Sequence, residues 1–128
     1  MTRAIIATDQ APAAIGPYSQ AVQTKDLLFV SGQIPIDPAT GELVSGDIRE
    51  ETRQAMQNLG AILSAAGSSY DRIVKTTLYI RDMDQFTVIN EIYAEFFSGN
   101  PPARACVEVA RLPRDVGVEV EAIALLGA

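Results

Sequence analysis

Histidine and tryptophan are absent from these 128 residues, and cysteine occurs once. The first absence removes the histidine general base, and with it the Ser–His and Cys–His nucleophile pairs. The lone Cys106 cannot form an internal disulfide, and without imidazole the usual zinc sets cannot be assembled within a chain. A carboxylate-only magnesium or calcium site is left open, though no loop here has the spacing of one. Positive charge is scarce as well. Ten Lys and Arg residues, scattered along the chain, stand against sixteen Asp and Glu, for a net charge of −6. A field of that sign repels nucleic acid and anionic membranes, and no basic stripe offsets it. Long apolar runs are missing too. The opening "MTRAIIATDQAPAAIGPYSQ" has no apolar core ahead of a cleavage site, so the expected compartment is the cytoplasm. Any catalysis must rest on arginine, carboxylates, hydroxyls, backbone groups and water.

What is present is a chain that is 48% hydrophobic, enough for one globular domain over residues 1–128. Residues 3–8 read as a short strand, and 11–17 as a loop stiffened by Pro12 and Pro17. Residues 18–24 and 27–36 read as a hairpin around Lys25 and Asp26. Leu27 to Val30 run apolar without alternation, which asks for burial on both faces, and a small domain often meets that with another copy of itself. Residues 47–66 form the clearest helix. Asp47 can cap it with Glu50 three residues on, an apolar stripe runs from Ala55 to Ala66, and Gly67 stops it. Residues 72–80 read as a strand, 82–97 as a second helix, 101–113 as an alternating strand and 116–126 as a closing one. The two strand–helix–strand units imply right-handed crossovers, with both helices on one face. The expected fold is α+β: a six-stranded mixed sheet carrying two helices on one face, its other face open.

The alternating stretch "PPARACVEVARLP" raises the functional question. Ala103, Ala105, Val107 and Val109 fall on one side; Arg104, Cys106 and Glu108 fall on the other. In the last strand Val118, Val120, Ala122 and Ala124 suit the helix side, leaving Glu119 and Glu121 opposite. Pairing of the last two strands would put Arg104 beside those glutamates on the open face. Two explanations remain at this point: a site for a ligand carboxylate, or a structural Arg–Glu ion pair at a subunit contact. Cys106 has no basic neighbour but Arg104 and suits packing. Tyr18 follows a rigid Gly–Pro turn and could equally anchor its loop. Gly32 of "SGQIP" marks a bulge or close backbone approach, since one glycine before no helix makes no phosphate nest. Asn90 is an isolated polar residue on an otherwise apolar and acidic helix.

The blocks "IGPYSQA", "FVSGQIP", "TRQAMQNLGAILSAAGSSYDRIVKTTLYIRDMDQF", "VINEIYAEFF" and "PARACVEVARLPRDVGVEVEAIA" occur in this order between about residues 9 and 126. Together they resemble the RidA (YjgF/translation-inhibitor-like) family. The resemblance implies a homotrimer of chorismate-mutase-like subunits with clefts between adjacent copies. It also implies hydrolysis of 2-iminopropanoate and 2-iminobutanoate to 2-oxo acids and ammonia. In that scheme Arg104 clamps the substrate carboxylate, and Glu119 orients the attacking water with help from the Cys106 backbone carbonyl. Tyr18 reaches in across the subunit boundary, Ser31 and Gly32 line the cleft, and Asn90 sits close by. The loop "FFSGNPP" is shorter than in typical bacterial members and borders the cleft, which bears on substrate size. A protonated imine is already electrophilic, so a held substrate, a placed water and one general base suffice, with no metal or cofactor. The competing expectation is a trimer that binds 2-oxo acids or amino acids without turnover. Ribonuclease or translation-inhibiting roles, attached to some relatives, fit poorly with the acidic balance.

Overall fold

Apolar residues at helical spacing seat the first helix, α1 (Ile48–Ala65). Ala55, Met56, Leu59, Ile62 and Leu63 are each 1% exposed or less. Asp47 caps it, its side chain accepting the Arg49 N–H at 2.8 Å. Glu50 makes no return bond among the described residues, so the expected capping box is one-armed. At the far end Gly67, at φ +77°, turns the chain away.

The computed structural model describes residues 2–44 and 46–127. Its six strands are β1 (Ala4–Ile6), β2 (Ala21–Gln23), β3 (Leu27–Gln33), β4 (Ile73–Ile80), β5 (Ala103–Glu108) and β6 (Val118–Leu125). The second helix, α2 (Phe86–Ala94), is shorter than the expected 82–97. Asp82 accepts from the Asp84 N–H and opens a 3-10 turn over Met83–Gln85 instead. Beyond Ala94 the N–H groups of Glu95, Phe96 and Phe97 reach back only three residues, so the helix tightens and ends.

The strands lie in the order β1-β2-β3-β6-β4-β5. The last strand is inserted between β3 and β4, antiparallel to both, while β4 and β5 run parallel. Each helix therefore connects two parallel strands. Both pack on one face, over Leu28, Val30, Thr76, Leu78, Ile80, Val118, Val120, Ala122 and Ala124, all buried. This is the expected α+β sandwich, a six-stranded mixed sheet with two helices on one side.

Register places Ile5, Val22, Phe29 and Ile123 in one row across the opposite face. Ile5 is 54% exposed, Phe29 43% and Leu125 42%. The apolar run in β3 is thus buried on one face and left open on the other. Between Val30 and Gln33 the β3–β6 register shifts. Ser31 and Gly32 there oppose the single residue Glu121, the bulge that Gly32 suggested.

Candidate functional site

Arg104 lies on the edge strand β5, in register with Thr76 of β4, and Cys106 is in register with Leu78. Thr76 and Leu78 are buried under the helices, so Arg104 and Cys106 share the helix side of the sheet. Glu119 and Glu121 occupy the open side, as expected. The expectation that Arg104 joins them there is therefore corrected. Alternation separates two sets of side chains without saying which set meets the helices. At the sheet edge the helix layer is α2 alone, and it receives a cation well. The Arg104 guanidinium carbon lies 5.1 Å from the Tyr93 ring centre and 5.5 Å from that of Phe86.

One guanidinium nitrogen donates to Asn90 Oδ1 at 2.7 Å. Asn90 is thus the orienting partner of the arginine. Both line a hollow of about 560 Å³ with Tyr93, Phe97, Pro101 and Pro102. No carboxylate lines it, and Arg104 forms no ion pair among the described residues. Tyr93 is itself fixed, its hydroxyl 2.7 Å from Thr76 Oγ1. The guanidinium is stacked, aimed, and left with donors to spare.

Cys106 is half-buried and its thiol is unpaired. Burial pushes the thiol's pKa up, and Arg104 pulls it down by less. Its backbone is better placed than its sulfur. Val109 N–H donates to the Ile80 carbonyl at 2.9 Å, so with the parallel register Val107 and Ala105 are the other β5 residues that bond to β4. The Cys106 N–H and C=O then point out along the free edge. Cys106→Ser is expected to keep the hydrolysis that the resemblance implies within about threefold of wild type, since the thiol has no partner to lose and such a change costs about 0.5 kcal/mol or less. Steady-state kinetics on the variant would check this, and a loss as deep as that of an Arg104 variant would give the thiol a role.

The second hollow, about 620 Å³, opens on the other face and is lined by Tyr18, Ser31, Gly32, Arg114, Glu119 and Glu121 among others. Glu119 is half-buried; burial raises its carboxyl above the ordinary range, and Glu121 adds to the shift. Its carboxylate crosses the bulge at Gly32, where a Cβ would collide with Oε2 and sit 2.8 Å from Cδ. Gly32→Ala should therefore displace Glu119 while leaving the sheet folded, and a misplacement of this kind costs on the order of 100-fold in rate. Near-normal activity with an unchanged melting point would contradict that.

Ser31 is fixed by its hydroxyl, which donates to the Ser19 carbonyl at 2.6 Å. Tyr18 is 50% exposed and reaches over the rim behind Gly16 (φ +118°), its hydroxyl accepting from the Ile15 N–H at 3.3 Å. Buried Gln20 ties this loop down, donating to the carbonyls of Thr8 and Pro12 at 3.0 and 2.8 Å. Arg114 was not singled out in the sequence. It stands at φ 54° beside Asp115 at φ 63°, two left-handed residues without glycine. Such strain gathers at functional sites, but nothing in "LPRDVG" announces it.

The sequence-predicted residues thus form two clusters in one chain. Arg104, Asn90 and Cys106 stand on the helix side; Glu119, Tyr18, Ser31 and Gly32 stand on the open side. Neither cluster alone holds both a carboxylate clamp and a base. The described residues contain no group of His, Cys, Asp or Glu suited to hold a metal ion, and no helix among them is long and apolar enough to cross a membrane.

Known proteins are similar to this chain over almost its whole length. A RutC family protein of Pyrococcus horikoshii is 55% identical over 120 residues, covering 94% of this chain and 95% of its own. The 2-iminobutanoate/2-iminopropanoate deaminase of Mus musculus is 53% identical over 125 residues, covering 98% and 93%. The crystal structure of E. coli TdcF with bound serine superposes at a TM-score of 0.93 with 46% identity, covering 97% of this chain and 99% of that one. With the family model described as Endoribonuclease L-PSP matching residues 8–126, the chain belongs to the RidA/YjgF family that its five sequence blocks resemble.

Proposed function

We propose that this protein, as a single RidA-type domain, hydrolyses small 2-imino acids such as 2-iminopropanoate and 2-iminobutanoate to 2-oxo acids and ammonia. The observation that carries the reading is Arg104: a guanidinium stacked on two rings, oriented by Asn90, with no carboxylate of its own. A planar fork held this way matches a substrate carboxylate in bidentate fashion. Relatives at about half identity bear the deaminase name, which supports the same chemistry.

Glu119 supplies the base, and it must come from another copy of the chain. The uncovered sheet face, with Ile5, Phe29 and Leu125 exposed, is the surface on which copies would meet, and a trimer closes such a contact in a ring. One copy then brings Arg104, Asn90 and the Cys106 carbonyl to the Glu119, Tyr18 and Ser31–Gly32 of its neighbour. Arg104 holds the carboxylate and Asn90 holds Arg104. Glu119 takes a proton from water as the water oxygen bonds to the imine carbon and the C=N pair shifts to nitrogen. The resulting carbinolamine takes that proton on its nitrogen, and the C–N bond breaks as the hydroxyl proton returns to Glu119 and passes on to the departing ammonia, leaving the 2-oxo acid and ammonium. Holding the reactants together and one positioned base provide the acceleration.

The decisive experiment generates the imine in situ with an amino acid dehydratase and times 2-oxo acid release with and without the protein. Faster release supports the reading, and an unchanged rate removes it. A second reading, binding without turnover, is favoured by the serine in E. coli TdcF, an amino acid and not an imine. Tight binding of serine or a 2-oxo acid with no acceleration would decide for it. Light scattering tests assembly: a monomer at micromolar concentration would exclude a site shared between copies.

A further inference from the structure

Glu121 in the Glu119 hollow, and Tyr79 beside it, have no part in the hydrolysis just described. Glu121 follows Glu119 two residues along β6 on the same face, and Tyr79 stands directly across from Glu119 on β4. The Tyr79 hydroxyl donates to Glu121 Oε1. The two carboxylates therefore live in different surroundings. Glu121 has a phenolic donor that fixes its carboxylate in place. Glu119 is half-buried among Gly32 and its neighbours and makes no such bond among the described residues.

We propose that Glu121, held in place by Tyr79, is a positioning residue for Glu119: its carboxylate, two residues along the same strand face and in the same hollow, acts on the base electrostatically. The inference deepens the proposed hydrolysis and rests on it for its kinetic readout. A group that takes a proton from water and then returns it to nitrogen works best when neither step is steeply uphill, so an ordinary, strongly acidic carboxyl is poorly suited. Paired carboxyls whose environments differ divide the two tasks, one staying charged while the other exchanges the proton. The direction of the Glu119 shift agrees, with burial first and Glu121 second as its causes. Tyr79 is raised in turn by its bond to Glu121.

Other groups face Glu119 as well. Among the described residues Arg114 is the one cation lining this hollow, and Tyr18 is its phenol. The Arg104 of a neighbouring copy would also approach it in the proposed assembly. These act alike on wild type and on a Glu121 variant, so the difference between the two isolates Glu121.

Glu121→Gln keeps the shape and an oxygen acceptor for Tyr79 while removing the charge. The test compares pH profiles of kcat/KM for wild type, Glu121→Gln and Tyr79→Phe, with a ¹³C NMR titration of the Glu119 carboxyl in the same trimers. The acid limb and the Glu119 midpoint should both move to lower pH in Glu121→Gln. They should move the same way, by less, in Tyr79→Phe, where Glu121 loses its donor and its charge is less firmly held. A merely structural Tyr–Glu pair would lower the melting point and turnover without moving either midpoint, and that result overturns the proposal. If wild type hydrolyses no imine, the functional reading fails, yet the NMR titration still decides whether Glu121 governs Glu119.

Discussion

Arg104→Lys is expected to lose imine hydrolysis almost as completely as Arg104→Ala, although it keeps the positive charge. The structure gives three reasons. The guanidinium lies over the Tyr93 and Phe86 rings, it donates to Asn90 Oδ1, and its remaining donors lie in one plane. An ammonium on a flexible stem can satisfy Asn90 or the substrate, but it cannot stack, and it offers a carboxylate no parallel pair of donors. From charge pairs truncated at interfaces the loss is roughly 2–4 kcal/mol of transition-state stabilisation, or about 30- to 1,000-fold in kcat/KM. Assembly should survive in both variants if the arginine serves a ligand. A lysine variant with near-normal activity, or an alanine variant that cannot assemble, would return Arg104 to a structural role.

Glu119→Gln should separate turnover from binding. If the carboxylate acts on water while Arg104 acts on the substrate, kcat falls by roughly 100- to 10,000-fold, the range of a lost general base. The affinity for a non-reacting 2-oxo acid should change little by comparison. Equal losses in both quantities would make Glu119 a binding group. The pH dependence has a defined sign. Burial, then Glu121, raises the Glu119 carboxyl above its ordinary value of 4.5, and the base works only when deprotonated. The acid limb of the rate should therefore lie above the ordinary carboxylate range. Stability runs the other way. The folded state holds this proton more tightly than the unfolded chain, so stability is lost as pH rises between the ordinary value and the raised one. Glu119→Gln should accordingly melt at or above wild type at neutral pH while being far less active.

The helices and the succession of elements along the chain were legible because burial imposes periods of 3.6 and 2 on the residues that face the core. Leu59, Ile62 and Leu63 of α1 and Val118, Val120 and Ala122 of β6 show this directly. The suggested pairing of the last two strands was not met, since β4 lies between β5 and β6. The bulge at Gly32 was legible too, since a lone glycine within a strand asks for a close approach, here that of Glu119. The side of the sheet taken by Arg104 was not. A period of two is blind to which face meets the helices, and Arg104 reaches Tyr93 and Asn90 through a tertiary contact with α2 that strand spacing does not encode. The left-handed pair Arg114–Asp115 was missed for a related reason: its conformation is imposed by tertiary contacts. Arg81 donates to the Asp115 carbonyl at 2.6 Å from a distant strand end. The shorter α2 was not legible either: the Gln85 N–H closes a three-residue turn on the Asp82 carbonyl, although the Asp82 side chain bonds the second N–H on just as Asp47 does ahead of α1.

Arg104 and Glu119 stand on opposite sides of one sheet and are expected to meet only across two copies. Subunit complementation measures that directly. Arg104→Ala and Glu119→Gln proteins, each inactive alone, are unfolded together, refolded as mixed trimers and assayed with imine generated in situ. In such trimers some clefts take Arg104 from the Glu119→Gln chain and Glu119 from the Arg104→Ala chain. Random mixing of equal amounts in a closed ring should restore about one quarter of wild-type activity. Were both groups to act within a single chain, every chain would carry a lesion and the mixture would stay as inactive as its components.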